Sequence, residues 1–125
     1  MKRIALTLLA VLCLMLPSLA VATESGGRRD NWGAIAYSYA TGRYGFAYDY
    51  PSQAAAINSA VERCRADDCK AVVWFVNSCG SFAQGTNAYG WGIGNSRAAA
   101  EERALAECRK RGGGCRVIAW ACTTR

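Results

Sequence analysis

The chain has 125 residues, a formal net charge of +6 and no histidine. The missing imidazole removes the usual general base near neutral pH, the Ser-His and Cys-His nucleophile pairs and most catalytic zinc sites. A chain of this length suits one small domain, in which burial alone supplies limited stability and covalent staples matter.

The opening segment MKRIALTLLAVLCLMLPSLAVATES has the parts of an export signal. Lys2 and Arg3 supply charge, an uncharged apolar run follows from Ile4 to Leu16, and Ala20 and Ala22 offer the small residues of a cleavage site. Residues 1–22 are therefore expected to be a signal peptide, because the apolar run is shorter than the ~20 residues of a spanning helix. No membrane-spanning segment is expected after processing, and Cys13 leaves with the leader. Residues 23–31 are expected to be a flexible start, and 32–125 a single disulfide-rich domain. Six cysteines remain: Cys64, Cys69, Cys79, Cys108, Cys115 and Cys122. An even count in an exported domain reads as three disulfides, and the compartment is then oxidising, periplasmic or extracellular.

The next stretch, NWGAIAYSYATGRYGFAYDY, alternates apolar and small or polar residues about Thr41-Gly42 and predicts a hairpin. Ser52 is a good N-cap, and Ala56, Ala60 and Cys64 follow at i, i+4 and i+8, so they line one helix face. Alanine on that stripe lets a helix approach a sheet closely. After CRADDC comes KAVVWFV, rich in β-branched and aromatic residues as buried strands are. A second turn is expected near CGSFAQGTNAYG. YGWGIG then reads as a strand that something large packs across. Ser96 caps a second helix bearing Ala100, Ala104 and Cys108 on one face, and RVIAWA supplies the last strand.

Much of this reads as one pattern written twice. Ser52, Ala54, Ala55, Ala56, Ala60 and Cys64 match Ser96, Ala98, Ala99, Ala100, Ala104 and Cys108, all 44 positions on. Cys69 and Trp74 match Cys115 and Trp120 after a two-residue insertion, and YGFAY at Tyr44 echoes YGWGI at Tyr89. The expected fold is therefore α+β: a mainly antiparallel sheet of about six strands carrying two helices. It is read as an internal strand-helix-strand duplication (repeat 1 about 43–79, repeat 2 about 88–122) with pseudo-twofold symmetry. Among the 15 connectivities six cysteines allow, symmetry favours Cys64–Cys69 and Cys108–Cys115 at the helix-to-strand corners. Cys79–Cys122 would then tie the two copies together.

WGAIAYS, YGFAYDYPSQAAA, CKAVVWF, AYGWGIGNSRAAAEERAL and CRVIAW resemble the secreted bacterial family catalogued as domain of unknown function 4189, from about Trp32 to Cys122. The resemblance implies a small exported domain with an internal duplication, some of whose relatives look like secreted factors acting on a host or neighbouring cell. It supplies no catalytic residues to transfer.

The residues themselves offer little chemistry. The cysteine spacings, four residues between Cys64 and Cys69 and six between Cys108 and Cys115, are looser than the C-x₂-C of a zinc ribbon, so no metal or other cofactor is expected. No C-x-x-C redox motif occurs. GWGIG lacks the spacing of a nucleotide loop. Carboxylates for a hydrolase would come from Asp49, Asp67, Asp68, Glu62, Glu101, Glu102 and Glu107, most of them on solvated helix faces or in tight loops, with Asp49 placed to offset a helix dipole. Two features remain as a candidate binding surface. Tyr44, Phe46, Tyr48 and Tyr50 alternate with Gly45, Ala47 and Asp49 along one strand face, the first three being the candidate binding residues, and Arg109, Lys110, Arg111 and Arg116 form the densest basic cluster. The cluster's bland role is dipole compensation at a helix C-terminus; its sharper role is contact with an anionic surface. The expectation is a non-enzymatic exported module whose aromatic face, flanked by basic residues, binds a macromolecule, either a protein or an anionic envelope surface. Export disfavours nucleic acid. A small carboxylate-based hydrolase or inhibitor-like envelope factor and a structural envelope protein are the alternatives.

Overall fold

The computed structural model describes residues 29–124. The expected signal peptide and residues 23–28 of the expected flexible start lie outside the described residues. Within the described part of that start, Asn77 Oδ1 accepts from Asn31 N at 2.9 Å and Asn77 Nδ2 donates to Asp30 Oδ1 at 2.9 Å.

The elements run β1 (Trp32–Tyr37), β2 (Tyr44–Tyr50), α1 (Gln53–Cys64), β3 (Lys70–Val76), β4 (Cys79–Gly85), β5 (Ala88–Gly94), α2 (Arg97–Arg109) and β6 (Arg116–Cys122). Six antiparallel strands and two helices are present, as the patterning predicts. They do not form one sheet. They divide into two three-stranded sheets, β2-β1-β3 and β5-β4-β6, with the same element order in each half.

The reason lies in the alternation on β1. Ile35 and Tyr37 are large and Ala34 and Ala36 are small, yet all four are buried. A strand buried on both faces needs a cover on each side. The large residues, with Val73 and Phe75 of β3, meet Phe82 of β4 and Ala119 and Ala121 of β6 in the core between the sheets. The alanines, with Ala47, meet Ala56, Ala60 and Cys64 of α1. On the far side Ala83 and Ala88 meet Ala104 and Cys108 of α2. The order of layers is helix, sheet, sheet, helix.

Both helices start as their serines predict: Ser52 Oγ accepts from Ala55 N and Ser96 Oγ from Ala99 N, each at 3.1 Å. Small residues set how closely α2 lies on its sheet. A Cβ at Gly90 would stand 2.2 Å from the Ala104 carbonyl oxygen and 2.3 Å from Cys108 N.

Three cystines form: Cys64–Cys69, Cys108–Cys115 and Cys79–Cys122. The first two close the helix-to-strand corners. The third does a different job from the one expected. Cys79 opens β4 and Cys122 ends β6, directly opposite in the ladder, so the bond staples one sheet internally. Beyond the shared core, polar contacts join the halves: Tyr37 Oη donates to Gln84 Oε1 at 2.9 Å, and Thr124 N donates to Asp49 Oδ1 at 2.9 Å. Asp49, expected to offset a helix dipole, also accepts from Thr124 Oγ1 and so anchors the tail after β6.

Asp68, in the first cystine loop, pins that loop to the β1–β2 turn. Its carboxylate accepts from the buried Ser38 Oγ at 2.5 Å and from Ala40 N at 3.1 Å, and these two bonds hold its pKa below the usual carboxylate value. A folded-state pKa below the unfolded one stabilises the fold above about pH 4, and that contribution is lost as pH falls through the folded value. Asp68→Asn should therefore melt at a lower temperature than wild type at pH 7, with the gap closing in acid. Thermal melts followed by circular dichroism from pH 7 down to about pH 2 would check this; a gap that does not change with pH would assign the loss to packing instead.

Candidate functional site: two aromatic grooves between the sheets

β2 is an edge strand, and the hydrogen bond from Ser38 N to Arg43 O at 2.8 Å sets its pairing with β1. Gly45 and Ala47 are buried toward α1, and the alternation then turns Tyr44, Phe46 and Tyr48 toward the second sheet. Among the described residues the facing sheet has no strand beyond β6 to cover them. The three stay 46%, 39% and 45% exposed and line a groove of about 460 Å³ against β6 and Thr124. Three members of the predicted aromatic row are thus accessible; the fourth, Tyr50, packs against α1 instead, because Asp49 takes a left-handed backbone (φ 61°) that breaks the alternation, and its hydroxyl accepts from Ser59 Oγ at 2.6 Å.

A second groove runs along the opposite side of the sandwich, between the edge strands β3 and β5. It holds about 500 Å³ and is lined by Tyr39, Lys70, Trp74, Tyr89, Trp91 and Arg111 among others. It continues into a hollow of about 250 Å³ between Trp74 and Trp91 over Val72 and Ile93. Past Trp91 it reaches Arg103, Glu107 and Arg111. Trp91 pairs with Phe82 on β4 as Phe46 pairs with Ile35 on β1, so it occupies the matching place in the other half.

The basic cluster does not flank the Tyr44–Tyr48 row. Arg109 is exposed at the end of α2. Lys110 Nζ donates to Glu107 Oε1 at 2.9 Å, and Arg111 Nη1 donates to the Glu107 carbonyl at 2.8 Å. Both cations thus serve the helix C-terminus, the role its dipole asks for. Glu107 is held below the usual carboxylate range, chiefly by its hydrogen bond from Lys110. Arg116 opens β6 opposite Gln84. Of the four predicted basic residues Arg111 alone appears in the lining of a groove, and that groove is the β3–β5 one. The expected single surface is therefore two: Tyr44, Phe46 and Tyr48 in one groove, Arg111 in the other. The aromatics that meet Arg111 are Tyr39, Trp74, Tyr89 and Trp91, which strand patterning alone did not single out. The matching of YGW at Tyr89 to YGF at Tyr44 was the signal for Trp91.

Arg111 Nη1 also donates to Tyr89 O at 3.3 Å, and Arg103 Nη1 donates to Ile93 O at 2.7 Å. The two arginines lie across the open edge of β5 and occupy carbonyls that a further strand would use. Tyr39 meets Tyr89 edge-on at 4.8 Å and Tyr37 at 5.2 Å, while Tyr89 stacks on Phe82 at 5.9 Å. Burial, followed by the neighbouring Tyr89 phenol, pushes the Tyr39 pKa above its usual value. On the other side of the molecule the Arg97 guanidinium lies 4.0 Å from the centre of the Trp120 ring. Among the described residues no three or more Cys, Asp or Glu side chains are grouped to hold a metal ion, and no helix is long and apolar enough to cross a membrane.

Fold and grooves together define a small cystine-stapled α+β domain with two accessible aromatic clefts. The chain belongs to the family described as Domain of unknown function (DUF4189), whose model matches residues 32–122. It is similar to Protein Rv1269c of Mycobacterium tuberculosis, 44% identical over 93 residues covering 74% of this chain and 70% of that one. Uncharacterized protein Rv1813c of the same organism is 38% identical over 92 residues, covering 74% of this chain and 60% of that one. The NMR structure of Rv1813c superposes with a TM-score of 0.54 at 34% identity, covering 74% of each chain.

Proposed function

We propose that this domain is an exported, non-enzymatic binding module that engages a macromolecular partner in the cell envelope or outside the cell through its two aromatic grooves. One observation carries the reading. The exposed large hydrophobic side chains among the described residues are Tyr39, Tyr44, Phe46, Tyr48, Trp74, Trp91 and Trp120, and every one of them lines a groove. Aromatic side chains bury large areas at small entropic cost and are enriched where partners dock. Leaving seven of them half-exposed in two clefts is costly for a domain that meets nothing. The cystines suit an oxidising compartment, which supports export.

A carboxylate-based hydrolase is the reading from another class. It needs two carboxylates about 5–10 Å apart across one cleft. Glu107 is the carboxylate in the groove linings among the described residues, and it is ion-paired with Lys110 and Arg111. Its lowered pKa suits an ion pair better than a proton donor.

The test is capture of envelope components by the immobilised, oxidised domain. A Trp74→Ala/Trp91→Ala variant or a Phe46→Ala/Tyr48→Ala variant should lose the captured partner while keeping its circular dichroism spectrum. Undiminished capture by both variants, or turnover that disappears in Glu107→Gln, would overturn the proposal.

A further inference from the structure

The two grooves share a geometry and differ in charge. The β2–β6 groove has no lysine, arginine or carboxylate in its lining, and Arg97, which lies over its Trp120, is paired with Glu101 at 2.5 Å. Around Trp91, by contrast, stand Lys70, Arg103 and Arg111, against the carboxylate Glu107 in that lining, whose charge Lys110 from outside the lining balances at 2.9 Å, Arg111 standing farther off at 3.7 Å. Asp68 lies near Lys70 but is bound to Ser38 and Ala40. Cations therefore outnumber free anions at this groove. Trp91 and Trp74 are 56% and 44% exposed, so each leaves part of its ring open to solvent.

We infer that the β3–β5 groove binds a linear anionic polysaccharide, with sugar rings lying on Trp74 and Trp91 and acidic groups paired with Lys70, Arg103 and Arg111. The inference deepens the binding-module reading and rests on it. Three observations choose this occupant. The excess of cations asks for an anionic partner. The arginines are fixed at the groove's edge by the Tyr89 and Ile93 carbonyls, and each guanidinium keeps further N–H donors for a carboxylate or sulfate. Those same contacts occupy the β5 edge, which disfavours a peptide adding as a strand. The apolar C–H face of a pyranose ring suits an open indole face, and its ring substituents reach the cations on either side. Single-stranded nucleic acid also combines stacking with charge, but three cystines suit a compartment where polysaccharide is the common anionic polymer.

The test uses the oxidised domain with polygalacturonate, neutral dextran and oligothymidylate, read by tryptophan fluorescence and calorimetry. Polygalacturonate should bind and perturb the fluorescence. Its affinity should fall about ten-fold or more in Trp91→Ala, fall by a smaller factor in Lys70→Gln, and weaken with added salt. Asn58→Ala, on the exposed face of α1 away from both grooves, should bind as wild type does. Trp91 and Lys70 are exposed, so both variants should fold, and their melting curves check this. Dextran binding as tightly as polygalacturonate, oligothymidylate binding more tightly, or Trp91→Ala binding as wild type would each overturn the assignment. Should polygalacturonate fail while envelope capture still depends on Trp74 and Trp91, the polysaccharide assignment falls and the binding-module reading stands.

Discussion

Gly90→Ala, a change of one methyl group, should unfold or severely destabilise this domain. The added Cβ would stand 2.2 Å from the Ala104 carbonyl oxygen and 2.3 Å from Cys108 N. Both are helix backbone, so no side chain can swing aside, and α2 must lift from β5. Overpacking of a well-filled core costs about 1–3 kcal/mol and sometimes more, and a rigid backbone neighbour places Gly90 at the upper end. Against a total stability of about 5–15 kcal/mol that is a large loss. Gly45→Ala should behave alike, because its Cβ would stand 2.3 Å from the Ala60 carbonyl oxygen. Gly113→Ala is the control, with nothing within 4 Å of the new atom. Urea denaturation of the three variants checks the prediction. Equal stability of Gly90→Ala and Gly113→Ala would mean that α2 does not lie as close to β5 as described.

The second large effect concerns the cystines. On the chain-entropy model, Cys79–Cys122, with a sequence separation of 43, contributes about 4 kcal/mol. Cys64–Cys69 and Cys108–Cys115, with separations of 5 and 7, contribute about 2 kcal/mol each. Replacing Cys79 and Cys122 by alanine should therefore lower stability about twice as much as opening either corner. Reducing all three bonds removes stabilisation comparable to that of a whole small domain, so the reduced chain should be unfolded at 37 °C. Denaturation of the pairwise variants, with and without reductant, gives the order. A corner variant less stable than Cys79→Ala/Cys122→Ala would show that local geometry outweighs loop entropy here.

The helices and their covalent corners could be read from the chain because local chemistry specifies them. Ser52 and Ser96 cap, Ala56, Ala60 and Cys64 mark a buried stripe, and Cys108 lies on the matching stripe of α2. The division into two sheets could not be read this way. Alternation on β1 tells which side chains share a face, but a strand buried on both faces does not say what covers each one. β4 was hidden for a different reason. CGSFAQG has the glycine, serine and glutamine of a turn and no β-branched residue, yet it forms the central strand of its sheet, where Gly80 faces the Phe75 ring and Ser81 is buried. Taking Cys79 as the end of a repeat, when it opens β4, led to the mistaken role for its disulfide. The site was half visible. The exposure of Tyr44, Phe46 and Tyr48 follows from an edge strand whose other face carries a helix. The grouping of Trp74, Trp91, Lys70 and Arg111 depends on β3 and β5 lying on facing sheets, a long-range relation with no local signature.

The central claim, that the grooves are where this domain meets its partner, is tested most directly by the indole N–H signals of the native protein as partner is added. Trp32, half-buried against α1, serves as the internal reference. The Trp91 and Trp74 signals are expected to move during the titration while Trp32 stays in place. Binding that shifts Trp32 and leaves Trp74 and Trp91 unmoved would contradict it.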